Sequence, residues 1–141
     1  MSERTGGCAC GAIRFKVTAP FMGVGVCHCT DCQKATGGPP NYVALAPPGA
    51  LEVTKGEAKV YVCQGDSGGD VGRAFCPECG SPLWSVPPGA PFMPVKLGAL
   101  DDNADLTPML HLYTASAQPW HLMHEGVPTF PKAPPFPPPG T

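Results

Sequence analysis

Residues 74–84 read AFCPECGSPLW. Two residues separate the thiols of Cys76-Pro77-Glu78-Cys79, the spacing at which a tight turn brings both sulfurs to one ion. Gly80 can take the left-handed conformation that closes such a turn. A pair of this kind is half of a tetrahedral site, so the fold must bring two more ligands from elsewhere. Cys8 and Cys10 are the obvious donors. On a strand, residues two apart point the same way, so both thiols can face one ion. Cys8, Cys10, Cys76 and Cys79 would then form a closed four-thiolate set, a structural zinc site whose binding energy is partly folding energy.

Outward from these turns the chain reads as short strands. Ile13 to Thr18 alternates apolar and polar residues, the period of a half-buried strand, and Val24 and Val26 lead into Cys27 in the same way. Further strand candidates are Tyr42–Ala46, Leu51–Thr54, Lys59–Cys63, Leu83–Val86, Val95–Leu100 and Met109–Thr114. Clusters such as Gly37-Gly38-Pro39-Pro40 and Pro47-Pro48-Gly49 punctuate them. The prediction is a mainly β domain with one short helix over Asp31–Thr36, ended by Gly37. We expect a single domain over residues 1–130. The proline-rich stretch from Pro128, and in particular residues 131–141, is expected to leave the core as a tail.

The 141 residues suit one domain. A net charge of −2 with no run of Lys or Arg argues against nucleic acid and against an anionic membrane surface. No window approaches a membrane span, and MSERTGGCACGA has no apolar segment of the kind a signal peptide carries. The expectation is a cytoplasmic protein. In a reducing compartment, eight cysteines in tight CxC and CxxC sets point to metal ligation and away from a disulfide framework.

A second set lies at residues 27–32, CHCTDC. Cys27, Cys29 and Cys32 offer three thiolates, and a tetrahedral ion needs a fourth ligand. Two readings stand side by side. In one the open corner takes water or a substrate atom. In the other Cys63 or a histidine closes a second structural site. His28 lies between two ligand candidates on a strand, so it should face the other way, at the surface or beside the ligands. Asp31 reads as a cap of the short helix. His111, His121 and His124 lack helical metal spacing and read as ordinary, partly buried histidines. Cys63 ends an alternating strand and reads as a small buried hydrophobe.

The stretches GGCACGAIRF, CHCTDCQKATG, AFCPECGSPLW, LGALDD and SAQPWHLMHEGVPTF together resemble the glutathione-dependent formaldehyde-activating (GFA) family, in that family's order from Gly6 to Phe130. The resemblance implies a β-tent fold pinned by two zinc ions. Cys8, Cys10, Cys76 and Cys79 match the structural zinc ligands, and Cys27, Cys29 and Cys32 match the ligands of the catalytic zinc. It also implies a carbon–sulfur lyase-type reaction that joins glutathione and formaldehyde to S-hydroxymethylglutathione. Arg73, Lys34, Lys55 and Lys96 are the cations available to the two carboxylates of glutathione; the sequence does not place them together. Two other functions compete: a zinc-stabilised protein-interaction module, and a thiol redox enzyme built on Cys63.

Overall fold

The alternation of Arg14-Phe15-Lys16-Val17 becomes a strand with Phe15 and Val17 buried and the two cations half-buried. In the computed structural model, residues 3–64, 69–87, 89 and 91–133 are described. They form ten strands: β1 (Arg4–Gly7), β2 (Arg14–Val17), β3 (Val24–Cys27), β4 (Asn41–Ala46), β5 (Leu51–Lys55), β6 (Lys59–Gln64), β7 (Asp70–Phe75), β8 (Pro82–Val86), β9 (Met93–Lys96) and β10 (Leu110–Leu112). One helix, α1 (Thr30–Thr36), follows β3. The fold is mainly β, as the pattern predicts.

The strands make two sheets. A small antiparallel sheet has the order β1-β2-β5, and a large one has the order β10-β3-β4-β9-β8-β7-β6. In the large sheet only the β10–β3 pair among the described strands is parallel. The sheets share one core. Ile13, Phe15 and Val17 come from the small sheet or its hairpin, and Leu83, Trp84 and Val95 come from the large one. The Phe15 ring meets Trp84 edge-on at 5.7 Å. Burying side chains of this size contributes about 1.5–3 kcal/mol each.

Several elements differ from the sequence expectation. β1 carries the sequence Arg-Thr-Gly-Gly, which has no strand signature. A Cβ on Gly6 would stand 2.3 Å from the Ala99 carbonyl oxygen and 2.6 Å from the Phe15 ring, so only glycine lets β1 run this close. β7 was likewise hidden, because Gly72 and Arg73 interrupt its apolar pattern. The Val95–Leu100 run is a strand only to Lys96, then turns through a 3-10 segment at Leu97–Ala99. The start of the proline-rich stretch does not leave the body. The carbonyls of Pro128, Phe130, Pro131 and Lys132 accept hydrogen bonds from the backbone of His111, Thr114, Ala115 and Tyr113 at 2.9–3.3 Å. Residues 134–141 lie outside the described residues.

Phe15→Ala is expected to cost about 3–5 kcal/mol, and Gly6→Ala about 1–3 kcal/mol, in urea unfolding. A Gly6→Ala protein as stable as the parent would show that β1 does not pack as described.

Candidate functional site

Two turns face each other across the two sheets. Cys8 and Cys10 lie in the turn between β1 and β2, where the Cys8 N–H donates to the Ile13 carbonyl and the Gly11 N–H donates to the Cys8 carbonyl. This corrects the expectation that both residues sit on a strand: a knuckle turn, not the strand pleat, aims the two sulfurs. Cys76 and Cys79 lie in the β7–β8 turn, closed by the Gly80 N–H on the Cys76 carbonyl at 2.8 Å, with Gly80 at φ +78°. The Ala9 N–H donates to Ser81 Oγ across the seam. The four sulfurs lie within 4.8 Å of one another. Cys8 and Cys10 are 3.6 Å apart, and Cys10 and Cys76 are 3.8 Å apart. Four sulfurs at zinc–thiolate distance stand about 3.8 Å apart, so the set has the size such an ion requires. The Ile13 N–H also donates to Cys8 Sγ at 3.2 Å, which favours a thiolate there.

The second set forms where β3 gives way to α1. Cys27 is the last residue of β3, Cys29 is the N-cap of α1, and Cys32 lies in its first turn. The Cys32 N–H donates to Cys29 Sγ at 3.3 Å, so Cys29 caps the helix. Asp31, expected as the cap, is exposed on the first turn. Gly37, at φ +72°, ends the helix as predicted. The sulfurs of Cys27, Cys29 and Cys32 lie within 4.8 Å of one another, and no further Cys, His, Asp or Glu among the described residues joins them. Contacts with Cys27 first, then Cys29, draw the Cys32 thiol down to about 2, while the contact with Cys29 first pushes Cys27 strongly up. The contacts among the three close thiols favour the thiolate at Cys32 and disfavour it at Cys27.

Around the trident stand groups that sequence reading did not assemble. β3 pairs with β4, which places Asn41 opposite Cys27. Asn41 is buried. Its Nδ2 donates to Cys32 Sγ at 3.5 Å, and its Oδ1 accepts from Lys96 Nζ at 2.7 Å. Burial first of all pushes the Lys96 ammonium down to about 8, against the pull of Cys32. Arg73, on β7, is half-buried and its charge acts on Cys32. Arg73 Nε donates to Cys63 Sγ at 3.5 Å. Arg73 and Lys96 therefore flank one site, whereas Lys34 and Lys55 lie elsewhere. Lys34 is exposed in the last turn of α1, and Lys55 Nζ donates to the Gly11 carbonyl. Cys63 is not a core hydrophobe. It is half-buried on β6, at the border of the large sheet, and does not close the trident.

Behind β3 all four histidines of the chain meet. His28 and His111 are fully buried, which removes the surface from the two positions expected for His28, at the surface or beside the ligands, and corrects the partial burial expected of His111. The backbone N–H of His124 donates to His111 Nε2 at 3.2 Å. That nitrogen carries no proton, so His111 holds its proton on Nδ1, 2.9 Å from His28 Nε2. His28 in turn carries its proton on Nδ1, which has no partner among the described residues. His121 packs edge-on against His28, with ring centroids 5.0 Å apart. Burial first, then His111 and His121, hold His28 down at about 4. Gln33 ties this layer to α1: its Nε2 donates to the carbonyls of His28 (2.8 Å) and Ser116 (3.0 Å), and its Oε1 accepts from Gln118. Apart from the CHC triplet, these residues come from distant parts of the chain, so no local motif announces them.

A mainly β domain with a four-thiol set and a three-thiol set, each able to hold a metal ion, defines a class of thiolate metal-binding proteins. The sequence pattern of the glutathione-dependent formaldehyde-activating enzyme (GFA) family matches residues 3–116, and the chain belongs to that family. It is 29% identical over 121 residues to a Halomonas elongata protein named "Putative glutathione-dependent formaldehyde-activating enzyme", covering 82% of this chain and 77% of that one. The fold is similar to the crystal structure of a Rhodobacter sphaeroides protein, with a TM-score of 0.56 and 21% identity over 89% of this chain and 98% of that one.

The histidine layer sets a pH dependence. Burial first, then His124 and His121, hold the His111 pKa below its ordinary value. The unfolded chain therefore binds a proton first. Stability is fully present above the unfolded value of about 6.5 and falls as pH drops through it. The urea midpoint should fall between about pH 7.5 and about pH 5.5, and less steeply in His111→Gln. Parallel slopes in the two proteins would remove His111 as the cause.

Proposed function

We propose that this chain is a zinc-dependent carbon–sulfur lyase-type enzyme acting on a thiol adduct, joining glutathione and formaldehyde to S-hydroxymethylglutathione or carrying out a related reaction. Cys8, Cys10, Cys76 and Cys79 hold the structural zinc in this reading, and Cys27, Cys29 and Cys32 hold the catalytic one. The observation that carries it is the contrast between the two sets: four thiols complete one tetrahedron, while three thiols flanked by Arg73 and Lys96 form the other.

A zinc ion at the trident would lower the pKa of a thiol placed beside it and hold the resulting thiolate. The chain's own residues prepare that event. Cys29 fixes the start of α1 and so fixes Cys32. Asn41 Nδ2 donates to Cys32 Sγ and holds its orientation. Arg73 and Lys96 offset the negative charge that three thiolates and an incoming fourth would gather. The burial of Cys27 and Cys32 keeps water from competing for the site. In the reaction the thiol sulfur forms a bond to the carbonyl carbon, the C=O π pair moves to oxygen, and the proton given up by the thiol ends on that oxygen. Holding the two reactants together supplies much of the rate.

All eight cysteines are free thiols, a state that suits a reducing compartment. The proposal therefore extends to the cytoplasm. Among the described residues no helix is long and apolar enough to cross a membrane.

The test is replacement of zinc by cobalt(II) and titration with glutathione. A saturable gain in sulfur-to-cobalt absorption is expected, followed by a further change on adding formaldehyde. An unchanged spectrum would sink the thiol mechanism. Cys29→Ser should separate the two sets, since serine is the better helix cap but a poor zinc ligand. The variant is expected to bind one metal equivalent, to stay folded with a lower urea midpoint than the zinc-loaded parent because one ion that binds the folded chain is lost, and to lose the glutathione response. Cys76→Ser is expected to lose the folded state.

A further inference from the structure

A groove of about 580 Å³ opens beside Cys8 of the four-thiol set, and its lining includes Arg14, Thr36, Asn41, Tyr42, Lys96 and Asp101; it meets the trident through Asn41, which contacts Cys32. Its two cations differ. Arg14 is paired with Asp101 at the groove wall. Lys96 is 93% buried, taking its relative exposure of 7%, and among the described residues its ammonium has one acceptor, the neutral Asn41 amide oxygen. An ammonium offers three donors. The trident sulfurs act on the charge of this ammonium from the other side of Asn41, and its two remaining donors suit a carboxylate that reaches Lys96 from the groove.

We propose that this groove receives the body of the thiol substrate and that Lys96 is the specificity-determining residue that binds its carboxylate. The proposal rests on the reading of the trident as a thiol-accepting site. Charge sets the kind of thiol. Asn41 bridges Lys96 Nζ and Cys32 Sγ, through contacts of 2.7 Å and 3.5 Å, so the two ends of one small thiol acid can reach both. A neutral thiol such as 2-mercaptoethanol offers Lys96 no charged acceptor. Glutathione carries the carboxylate. The amide of Asn41 then serves both ends of the substrate, turning its nitrogen to the thiolate cluster and its oxygen to the cation that binds the carboxylate.

The test uses S-methylglutathione, whose capped sulfur cannot become a metal-bound thiolate, so its binding reads the groove alone. Calorimetric titration of the zinc-loaded protein should show binding, weakened at least about tenfold in Lys96→Met, the loss of one charge-assisted hydrogen bond. The dimethyl ester of S-methylglutathione should bind the parent protein at least about tenfold more weakly than the acid does, a comparison that needs no variant. Equal binding of acid and ester by the parent protein, equal binding of the acid by parent and Lys96→Met, or no binding of the acid at all would overturn the proposal. Lys96-dependent binding of S-methylglutathione, combined with no cobalt response to glutathione, would leave the groove assignment standing and remove the thiol-at-metal reading.

Discussion

The contact between two facing turns, Cys8 and Cys10 on the small sheet and Cys76 and Cys79 on the large one, is the constraint that organises this protein. The turns join sheets that otherwise meet through one shared core and through the close approach of Gly6 to Ala99. With the two sheets held at this seam, Phe15 reaches Trp84 and the groove beside Cys8 acquires its walls. The Ile13 N–H reaches Cys8 Sγ, and the Ser81 hydroxyl, held by the Ala9 N–H, reaches Cys79 Sγ. This environment is suited to thiolates.

The trident is built on a different principle. Its three sulfurs come from one short stretch, but its surroundings come from four strands and a helix. Asn41 from β4, Lys96 from β9 and Arg73 from β7 face it, and His28, just after β3, turns away into the histidine layer. The result is a thiol cluster with positive charge on one side and a neutral, hydrogen-bonded imidazole stack on the other. Charge is concentrated where an anionic reactant would arrive. Behind the strand, burial keeps the imidazoles uncharged.

How much of this was legible depended on whether the signal was local. The alternation of Arg14 to Val17 and the Gly37 stop were readable because strand pleat and helix end are set by neighbouring residues. The grouping of the seven clustered cysteines was readable because ligand spacing constrains it. What failed had a physical reason in each case. β1 was hidden because the tight approach of Gly6 to Ala99 demands glycine, a residue that weakens the strand signal. The turn that carries Cys8 and Cys10 can aim two sulfurs at one point as a pleat can, so spacing alone did not distinguish them. Cys29 displaced Asp31 as the cap because its sulfur sits one position before the helix, where the first free N–H groups point. Asn41, Lys96, Arg73 and the four histidines were unreadable as a site because strand pairing between distant segments brings them together.

The two thiol sets also differ in the lengths of chain they link. Cys27, Cys29 and Cys32 lie within one short stretch, whereas Cys10 and Cys76, whose sulfurs touch, are 66 residues apart. The conformational freedom lost on closing a loop grows with the logarithm of its length. An ion shared by Cys8, Cys10, Cys76 and Cys79 would restrict the unfolded chain far more than one held by the trident, by about 2 kcal/mol on that scaling. Ligation at the seam would therefore act on the folding equilibrium of the whole domain. Ligation at the trident closes only short local loops, so its loop-closure share is small, and an ion there would stabilise the folded chain through its own affinity alone.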